Sequence, residues 1–586
     1  MRLEDYWGVG PKTAALLRES LGEERAVEAI EAVDSRTLAE AGLARGRATR
    51  ILRRVAGGEG MDLLATRDAR AVYRDVVSLV ESFAVTDRAA DRLRVLTPLT
   101  DREAIEGRLD GTMAAVEAWR GLDERTREAV AEAFADHDAE SEVGAVETAL
   151  ALLDLDLSEG PFAPLESLDE DALAAAATAL RALGDGESGR VGEGADDELD
   201  RLRTALGSAE DVAADPAGVL EAVQGDARDA SEFRDAVRRH LTRETAVEEE
   251  YVREALPGEA ADADGFVTET LRSLTGVLRE RVDERESEIR AGLEADVEAA
   301  REDVDLAIEA VDDIAFSVSL ARFAVAFDLT RPEFAPAGTD RLAVRGARNL
   351  DLLAGGEGER VQPVDYGLGD HTLDVDAPTG DRVSVLTGAN SGGKTTLLET
   401  LAQVALLAHM GLPVPAEAAE VSEVDRLVFH RRHASFNAGV LESTLRSVVP
   451  PLTSGGSTLM LVDEFEAITE PGSAADLLHG LVTLTVERGA LGTFVTHLAE
   501  DLEPLPDVAR VDGIFAEGLT PDLELEVDYQ PRFGSLGRST PEFIVSRLVA
   551  EARDASERQG FETLAAAVGQ EAVQRTLADA RWSGSE

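Results

Sequence analysis

Val383-Ser384-Val385-Leu386-Thr387-Gly388-Ala389-Asn390-Ser391-Gly392-Gly393-Lys394-Thr395-Thr396 is the stretch on which the reading of this 586-residue chain turns. Five strand-forming residues run straight into Gly-x-x-x-x-Gly-Lys-Thr, and a helical apolar pattern follows over 396–409. Strand, glycine-rich loop and helix in that order make a phosphate-binding loop. Its glycines let successive main-chain N–H groups curl around phosphate oxygens, and the helix N-terminus behind them favours negative charge. The pattern assigns Gly388, Ala389, Asn390, Ser391, Gly392, Gly393, Lys394, Thr395 and Thr396 to ATP binding. Lys394 reaches the β- and γ-phosphates, and the Thr395 hydroxyl ligates Mg2+. The chain has only two lysines, Lys12 and Lys394, among 58 basic residues. A composition that has discarded lysine elsewhere keeps this one for its chemistry.

About 70 residues on, the apolar run Leu459-Met-Leu-Val462 ends in Asp463-Glu464. A buried strand ending this way sets Asp463 at the carboxyl edge of a sheet as a second magnesium ligand, and Glu464 as the general base for the attacking water. Thr493-Phe-Val-Thr496-His497 is another such strand end, placing His497 at the γ-phosphate or the water. Lys394, Glu464 and His497 form the expected catalytic set. Short β-rich runs at 382–387, 458–462, 492–496 and 511–516 alternate with helical stretches, the signature of an α/β domain with a mostly parallel sheet. We expect that ATPase domain over 331–550, followed by a helical tail over 551–586.

Upstream the texture differs. Residues 61–330 are dominated by alanine, leucine, glutamate and arginine, and read as a helical core, lever and clamp. Leu271, Leu274, Leu278, Val282, Ile289, Leu293, Val297, Val304, Ile308 and Val311 form one stripe, which predicts a helix of about 40 residues; two helices joined near Gly292 are the alternative. The glycine-rich and acidic stretch 184–198 reads as a mobile loop. Residues 1–60 stand apart, with basic and acidic residues in equal number and the acid-free arginine run 42–54. Gly8-Val-Gly10-Pro-Lys12 resembles a helix-hairpin-helix turn, and Gly42-Leu-Ala-Arg45-Gly46-Arg47 a looser second copy. Such turns present main-chain N–H groups to a DNA phosphate, contacts that position without reading sequence. Gly8, Gly10, Lys12, Gly42, Arg45, Gly46 and Arg47 are the expected DNA contacts; a protein-binding helical module is the alternative. Gly57-Gly58-Glu59-Gly60 reads as a linker.

The 116 acidic residues leave a formal charge of −58. With almost no lysine, this fits a halophilic cytoplasm, where at molar salt a Debye length of about 3 Å suppresses repulsion between surface carboxylates. The absence of cysteine excludes disulfides, thiol catalysis and cysteine-held metals. No leader pattern and no apolar run of about 20 residues is present. The expectation is a soluble, cytoplasmic, nucleoid-associated protein with no membrane partner.

The chain is similar to the MutS family of ABC-type ATPases. The resemblance rests on the segment Thr387–Thr396, on Gly411-Leu-Pro-Val-Pro-Ala416, Asp463-Glu464, Thr469-Glu-Pro471 and Thr496-His497, and upstream on Leu96-Thr-Pro-Leu-Thr-Asp-Arg-Glu-Ala-Ile-Glu-Gly-Arg-Leu109. It implies a homodimer that sandwiches ATP and closes a clamp on DNA, without sequence preference and possibly branched, in repair or recombination control. The chain most resembles the archaeal second-type subfamily, which lacks the mismatch-reading domain; the sole Phe-x-Glu, Phe515-Ala-Glu517, falls after the phosphate loop. Ser435 is the candidate for the family's signature serine, which reaches the partner's γ-phosphate. The glycine-rich turn after Asp463-Glu464 is replaced by Phe465-Glu-Ala-Ile-Thr469. That replacement motivates an alternative reading, a nucleotide-switched tether on chromosomes with negligible turnover. Action on RNA or the ribosome is a third.

Overall fold

Buried apolar runs resolve, after residue 330, into two sheets. The computed structural model describes residues 3, 6, 8–31, 34–55, 58, 60–136, 141–184, 190–225, 229–245, 247–258, 260, 262–357, 361–388, 393–432, 438–464, 471–520, 525–537, 541–569 and 573–576. The chain divides into two compact units. The first comprises Met1–Arg127, Glu159–Pro161 and Ile314–Glu586; the second comprises Glu128–Ser158 and Phe162–Asp313. Among the described residues no helix is long and apolar enough to cross a membrane.

The strands of the first unit are β1 (Glu333–Phe334), β2 (Arg341–Ala347), β3 (Val364–Gly369), β4 (Val383–Gly388), β5 (Ala418–Val421), β6 (Arg426–His430), β7 (Thr458–Asp463), β8 (Leu491–Val495), β9 (Ala509–Leu519) and β10 (Leu525–Phe533). A four-stranded sheet has the order β1-β5-β2-β3, and a six-stranded sheet the order β10-β9-β4-β8-β7-β6. From β9 through β6 neighbouring strands run parallel. Every residue of β4, β7 and β8 is buried, because helices cover both faces of a parallel sheet and its strands carry no polar side. The four runs expected from the sequence are β4, β7, β8 and β9. The antiparallel edge strand β10 was not anticipated. Its register shifts between Asp528 and Arg532, around Pro531, since proline cannot donate to a ladder and is tolerated at edges and bulges.

The opposite edge, β6, is covered by the segment after the N-terminal helices. Ala65 N–H donates to Leu427 O (3.2 Å), and the Thr66 hydroxyl donates to Phe429 O (2.6 Å) while capping the helix Arg67–Glu81. A covered edge leaves no open ladder for a second chain. The helices Pro11–Ser20, Glu23–Glu31, Ser35–Glu40 and Arg45–Val55 bury Leu17, Ile30, Leu38, Ile51 and Leu52 in a core of their own, joined by Val95. Gly60 is not a flexible joint. It opens the short turn Gly60–Leu63 against Pro98, where a Cβ would stand 1.6 Å from the carbonyl oxygen; close approach, not freedom, is what needs glycine there. Of the rest of that expected linker, Gly57 and Glu59 lie outside the described residues.

The second unit is helical, and aspartates start its helices. Asp169, Asp196, Asp215 and Asp262 each accept the N–H three residues on, satisfying a donor that the first turn leaves free. The expected single helix through 271–311 is two: Ala263–Ala299 runs unbroken past Gly292, and Arg301–Ala326 follows. The break is at Ala300, with no glycine or proline to announce it. Leu271, Leu274, Leu278 and Val282 are buried, whereas Ile289, Leu293 and Val297 are only half-buried. Packing, more than propensity, sustains a long helix, and the cover thins before the break. The expected loop 184–198 is shorter than read: residues 185–189 lie outside the described part, and a helix begins at Asp197.

Candidate functional site

The site is built where β4 gives way to the helix Lys394–His409. Gly388 ends the strand at φ 130°, with Ile514 O of β9 only 2.1 Å from where a Cβ would lie; no other residue fits. Ala389, Asn390, Ser391 and Gly392 lie outside the described residues. Gly393 caps the helix in the left-handed region, its missing Cβ facing the Tyr529 ring of β10 at 2.7 Å. Lys394 is buried, and its Nζ donates to Gly388 O at 2.8 Å, so the two ends of the loop are tied together. The half-buried Thr396 offers its carbonyl to the Thr400 hydroxyl (2.8 Å) and to Asn349 Nδ2 (3.5 Å).

Strand order brings in the rest. In β4-β8-β7 the end of β8 lies between the ends of β4 and β7, and His497 follows β8 by two residues. Polar groups gather at the carboxyl ends of parallel strands for this reason. Thr395 Oγ1 donates to Asp463 Oδ2 at 2.7 Å. Asp463 is buried, and burial raises its pKa, opposed by the Thr395 hydrogen bond and by Lys394. Its Oδ1 is buried and without a hydrogen-bond partner. A buried carboxylate with an unspent oxygen beside a hydroxyl suits a hard divalent cation.

Glu464 adopts φ 42°, a conformation costing a side-chain-bearing residue of order 1–3 kcal/mol and typical of functional sites. Its N–H donates to Val495 O at 3.0 Å. Its Oε1 meets His497 Nε2 at 3.2 Å, and its Oε2 meets the Arg432 guanidinium at 2.6 Å. The His497 hydrogen bond first, with the Arg432 charge assisting against desolvation, holds this carboxyl below its ordinary value. It is therefore ionised and oriented, as a group that activates water must be.

Thus Lys394 meets Gly388, Thr395 meets Asp463, and Glu464 meets His497. The residues assigned to DNA lie on the separate N-terminal core. Gly8 and Gly42 take φ 84° and 90°, Gly10 caps the helix from Pro11, and Gly46 lies in the first turn of the helix from Arg45. Lys12, Arg45 and Arg47 are exposed, and neither helix has an acid in its first turn. Ser435 and the segment 465–470 lie outside the described residues. Two residues that sequence reasoning missed are Arg432 and Tyr529. Nothing distinguishes Arg432 among so many arginines, and Tyr529 sits on the strand that Pro531 concealed.

Residues 384–449 match the family model described as MutS domain V. The chain is 46% identical over 196 residues to the DNA-binding protein MutS2 of Pyrococcus furiosus, covering 33% of this chain and 35% of that one. It is 30% identical over 239 residues to the endonuclease MutS2 of Thermomicrobium roseum, covering 38% of this chain and 27% of that one. It is 29% identical over 247 residues to the DNA mismatch repair protein MutS 2 of Halobacterium salinarum, covering 40% and 26%. The matched stretches therefore span roughly a quarter to a third of these curated relatives. The domain V match falls on the strand and helix that carry Lys394 and Thr395, and the chain is similar to MutS2-type members of the MutS family.

Proposed function

We propose that this chain is a magnesium-dependent ATPase that works as a homodimeric clamp on DNA, without sequence preference, in repair or recombination. The observation that carries the reading is the pairing of Thr395 with Asp463 beside a buried Lys394, with an oriented Glu464 directly following Asp463 in the chain. Thr395 Oγ1 and Asp463 would hold Mg2+, which when bound neutralises charge on the β- and γ-phosphates. Lys394 leaves Gly388 O for the phosphate oxygens. Glu464 takes a proton from water as its oxygen attacks the γ-phosphorus; the bond to the β–γ bridging oxygen breaks, giving ADP and phosphate. His497, hydrogen-bonded to Glu464, keeps the carboxylate aimed. The names of the relatives from Pyrococcus and Halobacterium support DNA as the partner. The exposed Lys12, Arg45 and Arg47 at two acid-free helix starts supply phosphate contacts.

Two experiments test this. Lys394→Ala should lower ATP turnover by about 100-fold or more; an unchanged rate would remove the catalytic assignment. The triple variant Lys12→Ala/Arg45→Ala/Arg47→Ala, all exposed positions, should weaken duplex binding and flatten its salt dependence. It is preferred to deleting 1–60, which would strip cover from the buried Val95. Unchanged affinity would move DNA contact to the second unit.

A further inference from the structure

We propose that Arg432 is a positioning residue for ATP hydrolysis, holding Glu464 by its guanidinium in the place from which that carboxylate acts. The inference rests on the ATPase reading above and concerns a residue that no motif marks. Arg432 lies two residues beyond the end of β6, on main chain pinned from both sides. The N–H of Arg431 donates to Asp68 Oδ2 at 2.9 Å, and the Arg431 guanidinium pairs with Glu399 Oε1 at 2.9 Å on the helix that begins with Lys394. Arg431 also lies over the Phe429 ring, 5.4 Å from its centroid. From that anchor Arg432 reaches Glu464 Oε2 at 2.6 Å, opposite the His497 contact on Oε1.

Exposure separates this role from a structural one. The Arg432 side chain is 56% exposed, while that of Glu464 is 11% exposed. An ion pair whose arginine is half in solvent is screened by salt, and Glu464 keeps His497 as a second partner, so losing Arg432 should cost the fold little. Yet a glutamate carried on a left-handed backbone has a long side chain whose direction must come from its partners. An Arg–carboxylate contact is directional as well as charged, and misplacing a reacting group by 1 Å costs about 100-fold in rate. Removing Arg432 should therefore affect turnover far more than stability.

The test uses the full chain with MgATP. Steady-state kinetics and binding of a fluorescent ATP analogue are measured for wild type, Arg432→Ala, Arg432→Lys, Glu464→Gln and the Arg432→Ala/Glu464→Gln pair. Arg432→Ala should lower kcat about tenfold or more, with KM, analogue affinity and melting temperature nearly unchanged, and Arg432→Lys should recover part of the loss. In the Glu464→Gln background the alanine substitution should cost nothing further, because the two act as a unit. A kcat for Arg432→Ala equal to or above wild type would overturn the proposal, as would an equal loss in the Glu464→Gln background. Wild-type chain that neither binds the analogue nor turns over would overturn the ATPase reading instead.

Discussion

Arg510 in the six-stranded sheet and Arg279 in the helical unit are both paired with acids, but in opposite surroundings. Arg510 is buried: its Nε donates to both oxygens of Asp512 at 3.0 Å, its Nη2 donates to Gly367 O at 2.6 Å, and its guanidinium lies against Tyr366 and Phe533. Tyr366 continues the network to Ser384, and Ser384 to Thr493. Arg279 pairs with Glu210 at 2.6 Å with side chains 63% and 44% exposed. The buried network is beyond the reach of salt and intolerant of losing a member, whereas the surface pair is screened and dispensable. In a chain of net charge −58 the two pairs therefore differ in what they hold: Arg510–Asp512 is part of the six-stranded sheet's interior, and Arg279–Glu210 lies on a helix surface.

The largest expected effect is on the buried side. Asp512→Ala leaves the buried Arg510 charge with Asp381 alone, at 3.7 Å, and should cost about 3–5 kcal/mol whatever the salt; denaturant midpoints in 0.2 M and 2 M KCl check this. A cost that vanished at high salt would erase the contrast. Next comes Asp196, which caps the helix Asp197–Ala213. Asp196→Ala should cost about 1 kcal/mol through the lost cap, read by thermal melts. The Arg285 hydrogen bond and the Leu199 N–H hold Asp196 below its ordinary 3.8. A depressed acid stabilises the fold fully above its unfolded value and loses that stabilisation as pH falls through its folded one. Wild type should therefore shed stability below pH 3.8 faster than Asp196→Asn, and parallel acid melts would refute this. The smallest effect is at Arg279: Arg279→Ala should cost under about 1 kcal/mol in dilute salt and nothing measurable in molar KCl.

How much of this could be read beforehand depends on how local each feature is. The phosphate-loop strand and helix, and the strands ending at Asp463 and Val495, announce themselves because apolar runs, glycine spacing and polar strand ends are properties of a few consecutive residues. The strand β10 was hidden by its own proline, and the helix break at Ala300 by the lack of any breaker residue. The stripe from Leu271 to Val311 shows what can be buried; which part is buried depends on what covers it. Gly60 misled for the same reason, since a glycine that allows motion and one that allows contact with Pro98 look identical in sequence.

By itself the sequence determined the chemistry on offer: a lysine and a threonine after a glycine-rich loop, an Asp-Glu pair, a histidine at a strand end, and a net charge of −58. Only the tertiary structure decided who holds whom. Thr395 meets Asp463 and His497 meets Glu464 because parallel pairing sets β8 between β4 and β7. Arg432 reaches Glu464 because β6 lies beside β7. Hydrogen bonds act over about 3 Å, and residues that far apart in space are separated in the chain by between 32 and 68 positions. No local pattern encodes that distance; the order of strands in the sheet does.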